Sequence, residues 1–395
     1  MGKKTASKQK IEQKKKEQRK RQILAVVFAV LFIAAVIALF MWRLAAIEKA
    51  EAEAAANAEQ LIQAELQKNR ICRRRAYCPE KRNANLSGEF NDKLTVGIAW
   101  RVDKYAASDV ERSLKQLGIK CVYLKEVKYN DWKYKKHKIP ASYQTKSGYL
   151  KEEYADLIKD HGFRNSNAAE VMEGIDAVIF SGGEDISPSL YAAPDYTDAN
   201  SSLNFYNASR DVADYLLMDY CLSNDVPVLG ICRGMQLLGV VSGTSMIKDI
   251  PKYSKANGNI ITEKHRPAKQ PGSAKMYSSH NVYPLGDDSI FASIIDRDIL
   301  EKVPSKHHQA VLDIAGTKLA ATGYSKPDGS EIIEVIERRD KKFAVGVLFH
   351  PEIAVMRHLN KSYDRKNFMS KDDGLIFFKA LCNSANLTYH IREPR

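Results

Sequence analysis

Val226-Pro227-Val228-Leu229-Gly230-Ile231-Cys232-Arg233-Gly234-Met235-Gln236 is the stretch on which the fold turns. An apolar run suited to a buried strand stops at a cysteine, and an amphipathic helical pattern from Met235 to Val241 follows at once. Gly230 and Gly234 stand two residues to either side of Cys232, the spacing of a nucleophile elbow, in which small neighbours allow a tight turn that lifts the reactive atom above a sheet. The helix N-terminus behind Cys232 would favour thiolate, and the amide of Arg233 would face a developing oxyanion. A small buried cysteine in a tight turn would show the same residues, so this stretch alone leaves both readings open.

Working outward, further buried-strand candidates are Leu94 to Trp100, Cys121 to Leu124, Ala177 to Phe180 and Phe343 to Phe349. Helical patterns lie between them, at Val110, Leu114 and Leu117 and at Val212 to Leu222. Alternating strands and helices predict an α/β fold, a mostly parallel central sheet with helices on both faces. Residues 93–395 can form one such domain. The polar and aromatic stretch 125–167, with Trp132, Tyr134 and Tyr143, reads as an insertion beside the active-site edge.

A second constellation closes that domain's last strand: Val345-Gly346-Val347-Leu348-Phe349-His350-Pro351-Glu352. Sites of α/β proteins sit at strand ends. His350 can accept the Cys232 proton and later activate water, while Glu352 can hold the ring through its other nitrogen. A lone histidine at a strand end is more often structural; joined to the elbow, the catalytic reading prevails.

The 395 residues carry a net charge of +13, with 44% hydrophobic and 28% charged residues, which excludes a disordered or collagen-like chain. Residues 1–22 hold eight Lys and two Arg against Glu12 and Glu17, a net of +8, so the remainder carries only +5 and a nucleic-acid partner is not implied. The six cysteines (Cys72, Cys78, Cys121, Cys221, Cys232, Cys382) match no disulfide scaffold or zinc spacing, and neither a metal nor a cofactor is expected. Ile23 to Trp42 holds twenty residues without a charge, about 30 Å of helix, enough to span a bilayer. Ten basic residues before the span, against Arg43 and Lys49 after it, predict a cytoplasmic N-terminus and an extracytoplasmic catalytic domain. Residues 43–92 read as a helical stalk and linker, rich in Ala, Glu and Gln to Lys68, then basic at Arg70, Arg73, Arg74, Arg75, Lys81 and Arg82. That basic cluster is a solvated charge run, with anionic headgroups its alternative. Cys72 and Cys78 could pair outside a reducing cytosol.

The elbow Gly230-Ile231-Cys232-Arg233-Gly234-Met235-Gln236 and the terminal Gly346-Val347-Leu348-Phe349-His350-Pro351-Glu352 resemble the class I glutamine amidotransferases, specifically their gamma-glutamyl hydrolase-like branch. Ser181-Gly182-Gly183-Glu184-Asp185-Ile186-Ser187-Pro188-Ser189-Leu190-Tyr191 resembles that branch's glycine-rich loop, and Arg210-Asp211 the start of the helix before the elbow strand. Ser305-Lys306-His307-His308-Gln309 resembles its S-x-H-H-Q segment, and Asp328-Gly329 with Ile333-Glu334 its D-G-x-x-E segment. The resemblance implies a Cys232-His350-Glu352 triad, oxyanion-hole amides from Gly183 and Arg233, and hydrolysis of a gamma-glutamyl amide through a thioester. It also implies glutamyl contacts from Gln236, Ser305 and His307. Ser242-Gly243-Thr244 stands where the family has G-G-T, Ile186-Ser187-Pro188 where it has D-x-P, and Leu348-Phe349 where it has Q-W.

The expected protein is thus a membrane-anchored cysteine hydrolase acting on a small gamma-glutamyl compound or peptide. A non-catalytic binding or sensor module on the same fold is the alternative, and an ammonia-donating glutaminase subunit a third reading that the expected orientation disfavours.

Overall fold

In the buried strands, successive side chains leave opposite faces of the sheet and enter two separate cores. Val178 and Phe180 join one apolar cluster while Ala177 and Ile179 join the other; Val228 and Ala344 likewise oppose Leu229, Ile231, Val345 and Val347. Such runs are continuous in sequence because neither face meets water. In the computed structural model the described residues are 93–392, without 104–106, 194–204, 257–260, 268–276, 287, 327–328 and 330, together with 20, 41–43, 45–46 and 49. The chain divides into units 1–72 and 73–395, and the fold described is that of the second.

The strands are β1 (Thr95–Ile98), β2 (Lys120–Tyr123), β3 (Ala177–Phe180), β4 (Val228–Ile231), β5 (Ser245–Ile247), β6 (Ser278–Pro284), β7 (Leu300–Ser305), β8 (Ala310–Asp313), β9 (Leu319–Tyr324), β10 (Ile333–Arg338) and β11 (Ala344–Val347). The helices are α1 (Ser108–Gln116), α2 (Glu152–His161), α3 (Ala168–Val171), α4 (Ala208–Ser223), α5 (Arg233–Val241), α6 (Ile250–Ala256), α7 (Ile290–Ile295), α8 (Pro351–Leu359) and α9 (Lys371–Arg392). One sheet runs β2-β1-β3-β4-β11-β10-β9-β6-β7, and β5 pairs with β8 apart from it. From β2 to β11 every pairing is parallel; from β11 to β7 every pairing is antiparallel. The expected parallel sheet is present, extended by an antiparallel half that the spacing of strand candidates did not reveal.

Helices α4 and α5 cover one face through Val212, Leu216, Met235 and Leu238. Helices α1, α7 and α9 cover the other through Val110, Leu114, Phe291, Phe377, Phe378 and Leu381. At about 1.5–3 kcal/mol for each fully buried aliphatic or aromatic side chain, these two layers dominate the stability of the domain. The stretch 125–167 packs against the loop that follows β3 and the start of α4. Trp132, Tyr143 and Tyr154 stack together, with Tyr143 and Tyr154 centroids 3.9 Å apart. Its backbone ties to Ser209 Oγ and Ser187 Oγ, and no residue of it lines the site cavity.

The expected span 23–42 lies outside the described residues except for Met41 and Trp42, as do the basic cluster and Cys72 and Cys78. Among the described residues no helix is long and apolar enough to cross a membrane.

Candidate active site

Three neighbouring parallel strands deliver the candidate catalytic residues from their carboxyl ends. Gly182 and Gly183 follow β3, Cys232 follows β4 and His350 follows β11, with Phe180 beside Gly230 and Ile231 beside Val347 in the registers. Cys232 is held from behind by its own amide, which donates to Val347 O at 2.8 Å, and His350 by its amide on Pro304 O at 2.8 Å. Cys232 is the N-cap of α5 with φ +52° and ψ −105°, a conformation costly for a residue with a Cβ and typical of strain held at a functional site.

The two flanking glycines explain how the turn closes. A Cβ on Gly230 would lie 2.5 Å from the Gly234 backbone, and one on Gly234 only 2.1 Å from Phe180 O. Helix α5 therefore packs directly on the strands, and its first amide, that of Arg233, is among those a helix leaves without an internal partner.

His350 Nδ1 lies 2.7 Å from Glu352 Oε1, and the ring also interacts with Cys232. A Cβ on Gly182 would touch His350 Cε1 at 2.9 Å and Cys232 Cβ at 3.5 Å, so this glycine lets the pair approach. Burial opposes a charged ring, but Glu352 and Cys232 outweigh it and hold the His350 pKa well above the usual histidine range. The Tyr277 ring meets that of His350 edge-on, with centroids 5.2 Å apart, and burial raises its phenol pKa.

Beneath the glycine loop lies an ion network. Arg233 donates to Asp211 at 2.6 Å and to Asp214 at 2.5 Å, both buried. Arg210 donates to Asp214 at 3.1 Å, Glu184 at 2.5 Å, Ser181 O at 3.0 Å and Gly182 O at 3.3 Å. Arg101 donates to Gly182 O and lies 3.5 Å from Glu184. Three guanidinium groups thus face three carboxylates, and together they fix the carbonyls of Ser181 and Gly182. Burial alone would raise the Glu184 pKa; Arg210 and Arg101 overcome this and bring it down to about 2. Burial lowers Arg101 to about 10, with Arg210 adding to it. Sequence reading marked Arg210-Asp211 as a motif but missed Arg101, Asp214 and Tyr277, whose sequence neighbourhoods carry no signal of their own.

A cavity of about 490 Å³ opens on these groups, lined by Cys232, Gly183, Gln236, Tyr277, Lys306 and His350, with Arg266, Glu184, Asp185 and Gln309 among its other walls. Gln236 reaches the cavity, its Nε2 donating to Gln309 O at 3.2 Å. Ser305 is fully buried and spends its hydroxyl on His265 O at 2.7 Å. His307 reaches the cavity edge, but Nδ1 donates to Gln309 O at 3.1 Å and Nε2 points to Glu334, 3.4 Å away. Burial takes His307 down to about 4, although Glu334 pulls the other way. The Gln309 amide is 1% exposed and has neither its nitrogen nor its oxygen bonded, which makes it a cavity-wall group ready for a ligand. Next to it, His308 Nε2 is 3.2 Å from Asp185.

Residues 118–352 match the family model Peptidase C26, ending on the carboxylate that lies 2.7 Å from His350 Nδ1. The chain belongs to the Peptidase C26 family. Among its relatives, NtpR of Enterococcus hirae is 35% identical over 202 residues, covering 51% of this chain and 75% of that protein. The glutamine amidotransferase-like protein RP404 of Rickettsia prowazekii is 30% identical over 240 residues, covering 51% and 82%. The gamma-glutamyl-gamma-aminobutyrate hydrolase PuuD of Escherichia coli is 23% identical over 185 residues, covering 46% and 66%. This Peptidase C26 member is accordingly a class I glutamine amidotransferase-like protein, and its likeness is to hydrolases and amidotransferases of that superfamily.

Proposed function

We propose that the protein is a cysteine hydrolase that cleaves gamma-glutamyl amides through a thioester. The observation that carries this reading is the Cys232 elbow interacting with a histidine whose Nδ1 is 2.7 Å from a buried carboxylate. The Cys232 thiolate attacks the gamma carbonyl, whose oxygen takes the negative charge between the amides of Gly183 and Arg233. His350, charged as imidazolium, gives its proton to the departing amine as the C–N bond breaks. The neutral ring then takes a proton from water, whose oxygen attacks the thioester; the C–S bond breaks, the acid leaves, and the Cys232 thiolate and His350 imidazolium of the first step are restored.

Both signs of charge line the cavity, as a zwitterionic glutamyl head group requires: Lys306 and Arg266 among the cations, Glu184 and Asp185 among the carboxylates. Burial lowers the Lys306 pKa and the charge of Arg266 lowers it further, so the two cations lie close and attract an anion. Gln309 and Gln236 supply neutral amides beside them. Gamma-glutamyl anilide should be hydrolysed, while alpha-glutamyl anilide and the des-amino glutaryl anilide should show kcat/KM at least about tenfold lower, because each leaves a pocket group unpaired. Equal values for the alpha and gamma compounds would remove the glutamyl assignment.

Membrane anchoring through residues 23–42 belongs to the same proposal, supported by twenty uncharged residues and the charge bias around them. Protease added to intact cells should then degrade the hydrolase domain and spare the N-terminal tail; protection of the domain would restore a cytoplasmic reading.

A further inference from the structure

On the antiparallel half of the sheet, His265, His280, His307 and Glu334 converge, with one ligand atom of each within 4.8 Å of all the others. All four residues are buried. Around Glu334 Oε1 stand His265 Nδ1 at 3.1 Å, His307 Nε2 at 3.4 Å and His280 Nε2 at 3.6 Å. These separations surround the ~3.3 Å edge of a tetrahedron whose centre is about 2.0–2.1 Å from each ligand, the zinc–nitrogen distance. The three nitrogens and both carboxylate oxygens lie buried without a directed hydrogen bond.

The outer nitrogens fix which ring atoms face inward. His307 Nδ1 is 3.1 Å from Gln309 O and His280 Nδ1 is 3.1 Å from Asn281 O. A carbonyl only accepts, so both Nδ1 atoms carry hydrogen and, in neutral rings, both Nε2 atoms turn lone pairs toward an anionic oxygen. Lone pairs and a carboxylate packed together in an apolar interior repel unless a cation lies among them. A histidine that donates its far N–H to a backbone carbonyl is also the usual arrangement around a bound metal.

We propose that these four residues form a closed, structural site for one divalent transition metal, zinc foremost, with three imidazole ligands and one carboxylate. It would join the 261–267 segment, β6, the turn after β7 and β10. The ligands carry cavity residues beside them: Arg266 follows His265, and Lys306 and His308 flank His307. Gln309 O, which accepts from His307, also accepts from Gln236 one turn after Cys232. The metal would therefore set the wall of the cavity without touching the reacting atoms, and the inference stands whether or not the substrate is a gamma-glutamyl amide.

The test uses the full chain purified from zinc-replete cells. Elemental analysis should find about one equivalent of zinc per chain. Stripping with dipicolinate should lower Tm, and zinc added back should restore it. Cobalt(II) added to stripped protein should give the intense visible bands of a tetrahedral ion. His280→Ala and Glu334→Gln should weaken zinc by more than the roughly 10- to 100-fold that outer-shell changes cost. Cys232→Ala should keep the full equivalent, which separates this site from the thiol. If the wild-type chain carries no transition metal and shows neither a Tm rise with zinc nor a tetrahedral cobalt spectrum, the cluster is held by shared protons and the proposal falls. A full equivalent retained by the His265→Ala/His280→Ala/His307→Ala variant would put the metal elsewhere and overturn it equally.

Discussion

The two halves of the sheet use the same strand chemistry to opposite ends. In the parallel half, β3, β4 and β11 point the same way, so the residues after them gather at one open edge around a cavity. Cys232 sits there at φ +52°, with glycines on every side that must approach it. In the antiparallel half, the four clustered residues come from β6, β10, the turn after β7 and the 261–267 segment, and all are buried, with His307 alone of the four reaching the cavity wall. An open edge can present a strained residue to substrate; a buried cluster is suited to bracing the wall beside it. Where a polar residue lies relative to strand direction thus separates chemistry from support, even when both involve buried histidines.

The comparison breaks most directly at Cys232. Cys232→Ala should lower kcat by about 10⁶-fold, the order found when a triad nucleophile is removed. Cys121→Ala, Cys221→Ala and Cys382→Ala should leave most activity, because these thiols lie outside the cavity. Loss of turnover in one of those three with Cys232→Ala active would move the chemistry out of the parallel half.

Glu352→Gln comes next, milder than the nucleophile change by about 10²-fold, since it orients the ring without bonding to substrate. Its signature is in pH. Glu352 is a principal cause of the raised His350 pKa, and the acid step needs imidazolium, so activity should fall as pH rises through the His350 value. In Glu352→Gln that alkaline limb should move to lower pH. The stability linked to His350 has the same sign: present in full below the usual histidine value near 6.5, lost as pH rises through the raised one. A limb at the same pH in both proteins would show that Glu352 does not tune His350.

Much of the parallel half was legible because its strands are buried on both faces and read as unbroken apolar runs; Ala177–Phe180 is bounded in the structure as the sequence bounded it. The elbow and His350-Pro351-Glu352 were legible because each is a short motif with its own local geometry. The antiparallel half was not, since strands such as Ser278–Pro284 alternate buried and partly exposed residues among Ser, His and Asn and resemble loop. His265, His280, His307 and Glu334 span 70 positions of chain and gather only by pairing of β6, β7, β9 and β10. Ser305 and His307 looked like substrate contacts from their motif; Ser305 spends its hydroxyl on His265 O and lies outside the cavity lining, whereas His307 bonds Gln309 O and reaches the cavity.

Arg210→Met tests whether the support below the glycine loop is as firm as the loop's role demands. It leaves Asp214 and Glu184 short of a partner and frees the carbonyls of Ser181 and Gly182. Breaking a buried ion network from one side costs about 3–5 kcal/mol, which chemical denaturation will read as a lower midpoint at unchanged slope. An unchanged midpoint would mean that the network does not hold the parallel edge.

The smallest effect concerns Lys306, which belongs to the antiparallel half by position and to the cavity by exposure. Its ammonium lies over the Tyr277 ring, 5.4 Å from the centroid, and beside the charge of Arg266, so it faces the cavity as one of a pair of cations. If the anionic substrate group it meets is remote from the scissile bond, such a charge binds that group alike in the ground and transition states. Lys306→Met keeps the aliphatic stem and removes the charge, so it should raise KM for gamma-glutamyl substrates by about tenfold, or ~1.4 kcal/mol, with a smaller change in kcat. The increase should shrink as salt is added, since a cation bordering an open cavity is screened. The metal content of the variant should stay that of the parent, because Lys306 is not among the four clustered residues. A fall in kcat with unchanged KM would instead show that the cavity wall built on the antiparallel strands acts on the reacting atoms, and the division between an open reactive edge and an enclosed brace would no longer hold.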